Sequence, residues 1–215
     1  MKISASLASA PLDKLGWAIG ELEKAGINII HFDVEDGSFV PVMTLGTKII
    51  KDLRPFTDLP FYVHLMMNNP EWIIKKIVGY GADSISVHWE ACPYPRRTLH
   101  IIKENGIKAG IAFNPATSLP DLAFLKPYLD YILVLSSEPE LPDAPFISET
   151  LQKILLGRKN QNLDGIEWMV DGGINISNIQ EVIDAFPDVI VMGRAIFKHN
   201  AIVDNLLELR KAIGK

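Results

Sequence analysis

The sequence predicts an α/β protein built as one closed barrel of eight parallel strands wrapped by helices. Three observations lead to this fold class. Eight short runs of β-branched and other apolar residues recur along the 215 residues, and segments with apolar residues at helical spacing separate them. No break in composition divides the chain. Uninterrupted alternation favours a parallel sheet covered by helices, and eight repeats are the number that closes a single (β/α)8 TIM barrel.

Each element can be justified in turn. Most of the predicted strands are continuous apolar runs, as expected of a parallel sheet buried on both faces. The segments 13–26 and 70–83 have amphipathic helical spacing, and Gly26, Gly81 and Gly106 each fall where a helix should end before the next strand. The predicted strands are KISASL (2–7), INIIHFDV (27–34), PFYVHLM (60–66), SISVHW (84–89), KAGIAF (108–113), YILVLS (131–136), IEWMVD (166–171) and VIVMG (189–193).

Alternation of strands and helices is also typical of an open, doubly wound sheet. In that fold a glycine-rich dinucleotide motif commonly follows the first strand, whereas this chain has SLASAPLDKLG there. We therefore favour the barrel and predict a single domain spanning residues 1–215.

Composition excludes several classes of function. The net charge is −5 and no basic cluster is present, so we expect no nucleic-acid partner. A single cysteine, Cys92, excludes an internal disulfide framework and suits a reducing compartment. Because no apolar run resembles a signal peptide or a membrane span, we predict a cytoplasmic protein without membrane association.

Polar residues at the carboxyl ends of the strands are the functional candidates, because function collects at that end of such barrels. His31 and Asp33 lie two residues apart on the second strand, so their side chains share a face. His64 on the third strand and Asp171 on the seventh complete a set of two imidazoles and two carboxylates. This set suits one divalent ion such as zinc, iron, manganese or cobalt. The alternative is that the histidines are hydrogen-bonded core residues.

The sequence resembles the ribulose-phosphate 3-epimerase family. The resemblance rests on ordered motifs along nearly the whole chain: KISASLASA, HFDVEDGSFVP, VHLM (63–66), NPAT (114–117), VDGGI (170–174) and MGRAIF (192–197). It implies that His31, Asp33, His64 and Asp171 bind one divalent metal ion. The substrate contacts that we expect in the mouth of the barrel are Ser6, His64, Met66, Gly172, Gly173, Gly193 and Arg194.

The resemblance also implies a reaction that the residues could perform. Inverting a carbon next to a ketone requires acid/base groups on both of its faces. As the resemblance implies, Asp33 and Asp171 take those roles and exchange them with reaction direction, through a cis-enediolate that the metal ion stabilises. The expected substrate is a small sugar phosphate, with conversion of ribulose 5-phosphate to xylulose 5-phosphate, or of a close analogue. A homo-oligomer is expected.

The chain departs from the family pattern at the phosphate end of the substrate. Where the family has a glycine-rich loop after the sixth strand, this chain has EPELPDA (138–144), in which Glu140 and Asp143 would repel phosphate unless they turn outward. Arg194 replaces a small residue, and either grips phosphate with its guanidinium or pairs with Glu140, Asp143 or another nearby acid. Phosphate binding is therefore expected to persist through a revised set of contacts.

Three further residues, Glu35, His88 and His100, carry expectations of their own. Glu35 stands where the family usually has methionine, and either faces the mouth or lies outward in the turn with Ser38. His88 and His100 fall outside the ligand set, and we expect both to be solvated or capping residues.

Two other functions fit the same barrel. An aldolase or decarboxylase could share an enediolate intermediate, but no lysine stands at a strand end to form a Schiff base. A non-catalytic sugar-phosphate-binding protein is the other alternative. Retention of both aspartates and both histidines argues against it, because a sensor needs no opposed acid/base pair.

Overall fold

The computed structural model describes residues 1–139, 141 and 144–214. Eight parallel strands pair in chain order, and the first pairs with the last, so the sheet closes into a barrel. The predicted fold class is confirmed, and each predicted strand has its counterpart. The strands are β1 (Lys2–Ser6), β2 (Ile29–Glu35), β3 (Phe61–Met66), β4 (Ser84–His88), β5 (Lys108–Phe113), β6 (Tyr131–Leu135), β7 (Glu167–Asp171) and β8 (Val189–Met192).

Helices cover the outside of the barrel. The α-helices are α1 (Leu15–Lys24), α2 (Lys48–Leu53), α3 (Glu71–Gly79), α4 (Pro95–Glu104), α5 (Gln152–Gly157), α6 (Ile179–Asp184), α7 (Arg194–Phe197) and α8 (Ile202–Ala212). Short 3-10 turns occur at Leu7–Ser9, Leu12–Lys14, Arg54–Phe56, Ala123–Tyr128, Ser148–Leu151, Gln161–Leu163 and Lys198–Asn200.

The connection between β5 and β6 departs from the strict alternation that the sequence predicts. A 3-10 helix, Ala123–Tyr128, stands where an α-helix was expected, and Pro127 lies inside it. Proline lacks the N–H that an α-helix needs and clashes with the preceding turn, so a longer α-helix is disfavoured here.

Glycines end the helices at the predicted positions. Gly26, Gly81 and Gly106 have φ values of 70°, 96° and 79°, in the left-handed region that glycine enters without steric cost. Each therefore lets the chain turn from a helix into the following strand.

The interior of the barrel is filled rather than open. Tyr62 and Tyr131 lie in its lower part with Leu133, Met169 and Val189, and the Ser84 hydroxyl donates a 2.8 Å hydrogen bond to the Tyr131 oxygen. A second and larger apolar core lies between the strands and the helices. The lower side chains thus form a floor, above which the polar residues at the strand ends face the open mouth.

The register of the sheet places the polar strand ends at similar heights. Ser6 pairs with His31 across β1 and β2, and Asp33 pairs with His64 across β2 and β3. Asp171 ends β7 beside Leu135.

None of the helices in the described part of the chain has the length and apolar character needed to cross a bilayer.

Candidate active site

Four side chains converge at the mouth of the barrel as the sequence predicts. His31, Asp33, His64 and Asp171 each offer a ligand atom, and these atoms all lie within 4.8 Å of one another. The Asp33 Oδ1 atom is 3.1 Å from Nε2 of His31 and 3.2 Å from Nδ1 of His64. Nε2 of His31 also lies 3.7 Å from Oδ2 of Asp171. The Ser6 hydroxyl donates a 2.7 Å hydrogen bond to the second Asp33 oxygen, so this carboxylate is held from three sides.

Burial and neighbouring charges shift the pKa values of this cluster in opposite directions. Burial favours the neutral Asp33 carboxyl, but His31 and His64 outweigh it and hold its pKa far below the usual range. Burial alone lowers the pKa of His31, yet the charge and hydrogen bond of Asp33 raise it overall. For His64 burial dominates and lowers the pKa to about 4. A neutral His64 beside an ionised Asp33 has the protonation that metal ligation requires.

The donor set fits a divalent cation. His31, Asp33 and His64 are 1%, 5% and 0% exposed, so the Asp33 charge lies in the interior and needs compensation. Two imidazoles and two carboxylates form a mixed nitrogen and oxygen set of the kind that zinc, iron, manganese and cobalt accept. Metal–ligand bonds of about 2.0–2.2 Å place ligand atoms at most about 4.4 Å apart, so atoms already gathered within 4.8 Å need only small shifts to bind one ion. These residues therefore could hold one metal ion.

A cavity of about 720 Å³ opens above the cluster. Asp33 and Asp171 lie in its wall, whereas His31 is buried below it. All of the residues predicted to contact substrate also lie in this wall: Ser6, His64, Met66, Gly172, Gly173, Gly193 and Arg194. The wall includes Ser9, Ser137 and Asn175 as well, which the sequence-based reasoning did not select as contacts.

The glycines of the wall permit close approach of neighbouring loops. A Cβ atom on Gly172, whose φ is +117°, would lie 2.7 Å from the backbone nitrogen of Ser137. On Gly193 it would lie 2.4 Å from the Ser9 hydroxyl oxygen. Real Cβ atoms do not come so near to other atoms, so a larger residue at Gly172 would push two loops of the wall apart, and one at Gly193 would displace the Ser9 side chain.

The loop after β6 contributes to the wall through its described residues, among them Glu138, Pro139 and Leu141. The predictions about Glu140 and Asp143 concern residues outside the described part of the chain. Arg194 lies in the wall at the first residue of α7.

Glu35 does not lie outward in the turn with Ser38, and it does not form part of the cavity wall. It is only 4% exposed, and its Oε2 atom accepts backbone N–H hydrogen bonds from Thr44 at 2.9 Å and Leu45 at 3.3 Å. The adjacent turn is organised instead by Asp36, whose Oδ1 atom accepts from the backbone N–H of Ser38 at 2.8 Å. Burial raises the pKa of Glu35. This side chain faces inward and holds the loop above it.

The expectation that His88 is solvated or capping is wrong. His88 is fully buried, and its Nε2 atom lies 2.8 Å from Nε2 of His64. The other ring nitrogen lies 3.1 Å from Oε2 of Glu90. A sequence signal was present, because Ser84, Ser86 and His88 alternate along β4 and so share one face. His100 lies at the surface, 3.1 Å from Glu104, in line with the prediction for it.

Comparison with known proteins identifies one family along nearly the whole chain. The sequence model of the "Ribulose-phosphate 3 epimerase family" matches residues 2–197. The chain is 38% identical to ribulose-phosphate 3-epimerase of Bacillus subtilis (strain 168) over 200 residues, which are 92% of each protein. It is 38% identical to the Escherichia coli (strain K12) enzyme of that name over 216 residues, covering 99% of this chain and 96% of the relative.

Solved structures agree on the fold. The 3-hexulose-6-phosphate synthase of Salmonella typhimurium superposes with a TM-score of 0.73 at 16% identity, covering 99% of this chain and 98% of the other. Orotidine 5'-phosphate decarboxylase of Pyrococcus horikoshii OT3 has a TM-score of 0.66 at 18% identity, with 99% of both chains covered. At such low identity these likenesses show the barrel alone.

Proposed function

The chain belongs to the ribulose-phosphate 3-epimerase family and is an isomerase of the epimerase class, and from this we propose that it inverts carbon 3 of a ketose phosphate. Ribulose 5-phosphate, converted to xylulose 5-phosphate, is the leading substrate, with close analogues behind it. We further propose that residues 1–215 form a single ribulose-phosphate-binding domain. Association into a homo-oligomer stays a prediction.

One observation carries the reaction type. Two carboxylates from different strands, Asp33 on β2 and Asp171 on β7, border the same cavity and approach the same imidazole of His31. Epimerisation needs two proton-transferring groups that reach the substrate carbon from opposite faces. A cavity with two such carboxylates at one end meets this requirement.

Asp33 and Asp171 each carry out one of the two proton transfers at carbon 3. Asp33, which His31 and His64 hold in its ionised form, accepts the proton from carbon 3, and the C–H electrons move toward the neighbouring carbonyl to give an enediolate. Asp171 then donates a proton to the opposite face of carbon 3. The two residues exchange roles in the reverse reaction, and the Ser6 hydrogen bond keeps the Asp33 carboxylate oriented throughout.

His31, Asp33, His64 and Asp171 would hold one divalent ion during this reaction. Such an ion supplies Lewis-acid stabilisation for the negative charge that develops on the substrate oxygens. Zinc, iron, manganese and cobalt all fit the donor set.

The phosphate end of the substrate is proposed to lie against β7 and β8. Gly172, Gly173 and Arg194 stand together in the cavity wall there. Backbone N–H groups of a glycine turn and a guanidinium both bind phosphate oxygens well.

Exchange of the carbon 3 hydrogen with solvent tests the reaction. The protein is incubated with ribulose 5-phosphate in deuterium oxide and followed by NMR. We expect deuterium at carbon 3 and the appearance of xylulose 5-phosphate. A variant that carries both Asp33→Asn and Asp171→Asn is the matched control, because its amides cannot accept the proton.

Each alternative function gives a distinct result in this assay. A lyase would produce fragments or carbon dioxide, and a non-catalytic binding protein would bind the sugar phosphate without exchange at carbon 3. Either result would contradict the proposed epimerase function.

A further inference from the structure

A chain of buried hydrogen-bonding groups leads outward from the proposed metal ligands. His64 meets Asp33 through Nδ1 at 3.2 Å and His88 through Nε2 at 2.8 Å. His88 in turn meets Glu90 through its own Nδ1 at 3.1 Å. His64 and His88 are both fully buried, so water does not compete for these nitrogens. The chain thus links a proposed metal ligand to a carboxylate that lies outside the ligand set.

The contact between the two imidazoles has the geometry of a hydrogen bond. The rings are tilted by only 28°, and their centroids are 4.8 Å apart while the two Nε2 atoms are 2.8 Å apart. The ring planes are thus nearly parallel, and the two Nε2 atoms are much closer than the ring centres, so an N–H of one ring can reach the lone pair of the other. One of the two nitrogens must carry the hydrogen, and the other must accept it.

The surroundings decide which nitrogen carries it. Only Nδ1 of His64 points into the ligand cluster, so its lone pair must stay available for a cation. The hydrogen of neutral His64 then lies on Nε2 and is donated to Nε2 of His88. His88 consequently carries its own hydrogen on Nδ1 and donates it to Glu90.

Glu90 anchors the outer end as an acceptor. Burial favours its neutral form, but hydrogen bonds from His88, Thr117 and the backbone N–H of Asn114 lower its pKa to about 2. The Asn114 bond, to Oε1, is 2.8 Å long. An ionised carboxylate accepts hydrogen bonds and has none to donate, so every hydrogen along the chain is directed toward Glu90.

His31 lacks equivalent support. Within the part of the chain that the structure describes, its Nδ1 atom is buried and has no hydrogen-bond partner, whereas its Nε2 atom faces Asp33. The two histidines of the cluster are therefore held differently, and the hydrogen-bonded chain acts on one of them.

We propose that His88 and Glu90 are positioning residues that fix the Nε2–H tautomer of His64 and so present its Nδ1 atom as a metal ligand. This inference rests on the proposed function of the cluster as a cation site. Partners of this kind hold the ligand ring in place and raise its basicity, and their loss typically weakens metal binding about 10- to 100-fold.

The first test is the tautomer of His64. Long-range proton–nitrogen correlation spectra of the full chain, labelled with ¹⁵N-histidine and treated with a chelator, distinguish the two neutral tautomers. Without a cation, the Asp33 carboxylate 3.2 Å from Nδ1 favours a hydrogen on that nitrogen of His64, whereas Glu90 favours a hydrogen on Nδ1 of His88. If His88 and Glu90 fix the tautomer, we expect the hydrogen on Nε2 of His64 and on Nδ1 of His88 even in the chelator-treated protein. A His64 that carries its hydrogen on Nδ1 would overturn the proposal.

The second test is zinc affinity, measured by competition with a chromophoric chelator. His88→Leu removes the acceptor for His64 and is expected to weaken zinc binding about 10- to 100-fold. His88→Gln can offer an amide oxygen to the same N–H and should recover part of this loss. His100→Leu, at an exposed histidine outside the site, is the matched control and should bind zinc as the parent does.

Glu90→Gln keeps the proposal testable if the His88 variants do not fold. Its amide can donate as well as accept, so the direction of the chain is no longer fixed and we expect both tautomers of His64 to be populated. Zinc affinity within twofold of the parent in folded His88→Leu, or an unchanged tautomer in Glu90→Gln, would refute the proposal. If the parent binds no zinc, the proposed cation site fails, while the tautomer measurement on the chelator-treated protein still stands as a separate result.

Discussion

Replacement of Glu35 by methionine is expected to increase local opening of the loop at Thr44 and Leu45, which forms one side of the cavity. Glu35 accepts the backbone N–H of Thr44 at 2.9 Å and that of Leu45 at 3.3 Å, both at the same oxygen. Val42 and Thr44 from this loop form part of the cavity wall. Methionine is the residue that the family resemblance implies at this position, and its thioether is only a weak acceptor.

The size of the effect follows from the two distances. The 2.9 Å bond has ordinary geometry, whereas the 3.3 Å bond exceeds the usual N–H···O range and contributes little. A hydrogen bond to a charged acceptor contributes about 1.5–3 kcal/mol. Since about 1.4 kcal/mol is a factor of ten, local opening at Thr44 should become about 10- to 100-fold more frequent.

Amide hydrogen exchange measures this opening directly. We expect protection of the Thr44 amide to fall about 10- to 100-fold in Glu35→Met, while amides in the floor of the barrel keep their protection. Glu35→Gln is the matched control, because its amide oxygen can still accept both N–H groups, so Thr44 should keep more of its protection than in Glu35→Met. Unchanged protection of Thr44 in Glu35→Met would refute the reasoning and show that other contacts hold the loop.

Three further outcomes are expected. Asp171→Asn should lower turnover about 100- to 10,000-fold with little change in substrate affinity, because an amide cannot transfer the proton; near-parent turnover in steady-state assays would assign the role elsewhere. Arg194→Ala should raise KM for phosphorylated ketoses but not for free ones, and equal use of both sugars by the parent would remove the phosphate assignment. Zinc at 100 times its Kd should stabilise the parent by about 2.7 kcal/mol, a rise in melting temperature of about 5–10 °C. His64→Ala should lose this rise while His100→Ala keeps it, and calorimetry with and without chelator measures both.

The barrel could be predicted because its signals are local. Apolar runs mark the eight strands, and the positive φ values of Gly26, Gly81 and Gly106 occur at the helix ends that the sequence indicates. The missing α-helix between β5 and β6 is also a local effect, since Pro127 lies inside that segment and disfavours a longer α-helix. Whether a segment forms a strand or a helix can thus be predicted from a short window of the sequence.

The part of the candidate site that could be predicted is the part that follows from residue spacing within a strand and from the order of the strands. His31 and Asp33 share a face because they lie two apart on β2, and the parallel register then places His64 opposite Asp33. The role of His88 needed more than this, because it depends on the pairing of His64 with Ser86 and on complete burial of both imidazoles. The position of Glu35 likewise depends on the path of the loop at Thr44, which no period in the sequence specifies.

The carboxyl groups of Asp33, Glu35, Glu90 and Asp171 are each accommodated in a different way. Imidazoles hold Asp33 ionised, and burial raises the pKa of Glu35 against the opposing effect of two backbone N–H groups that bind its carboxylate. Hydrogen bonds from His88 and from backbone N–H groups keep Glu90 ionised at the outer end of its chain. Asp171 lies in the cavity wall beside Gly172.

This distribution of charge orients an anionic substrate. His31, Asp33 and His64 on β2 and β3 form one cluster with Asp171, which faces them from β7, so we expect this cluster to favour a cation and the uncharged ketone and hydroxyl groups of a sugar. The proposed place for a phosphate dianion is beside Gly173 and Arg194 in the same wall, where a guanidinium and backbone N–H groups are available. Reversal of the charge at Arg194 should therefore weaken phosphate binding without disturbing the metal ligands, because Arg194 is not a member of that cluster.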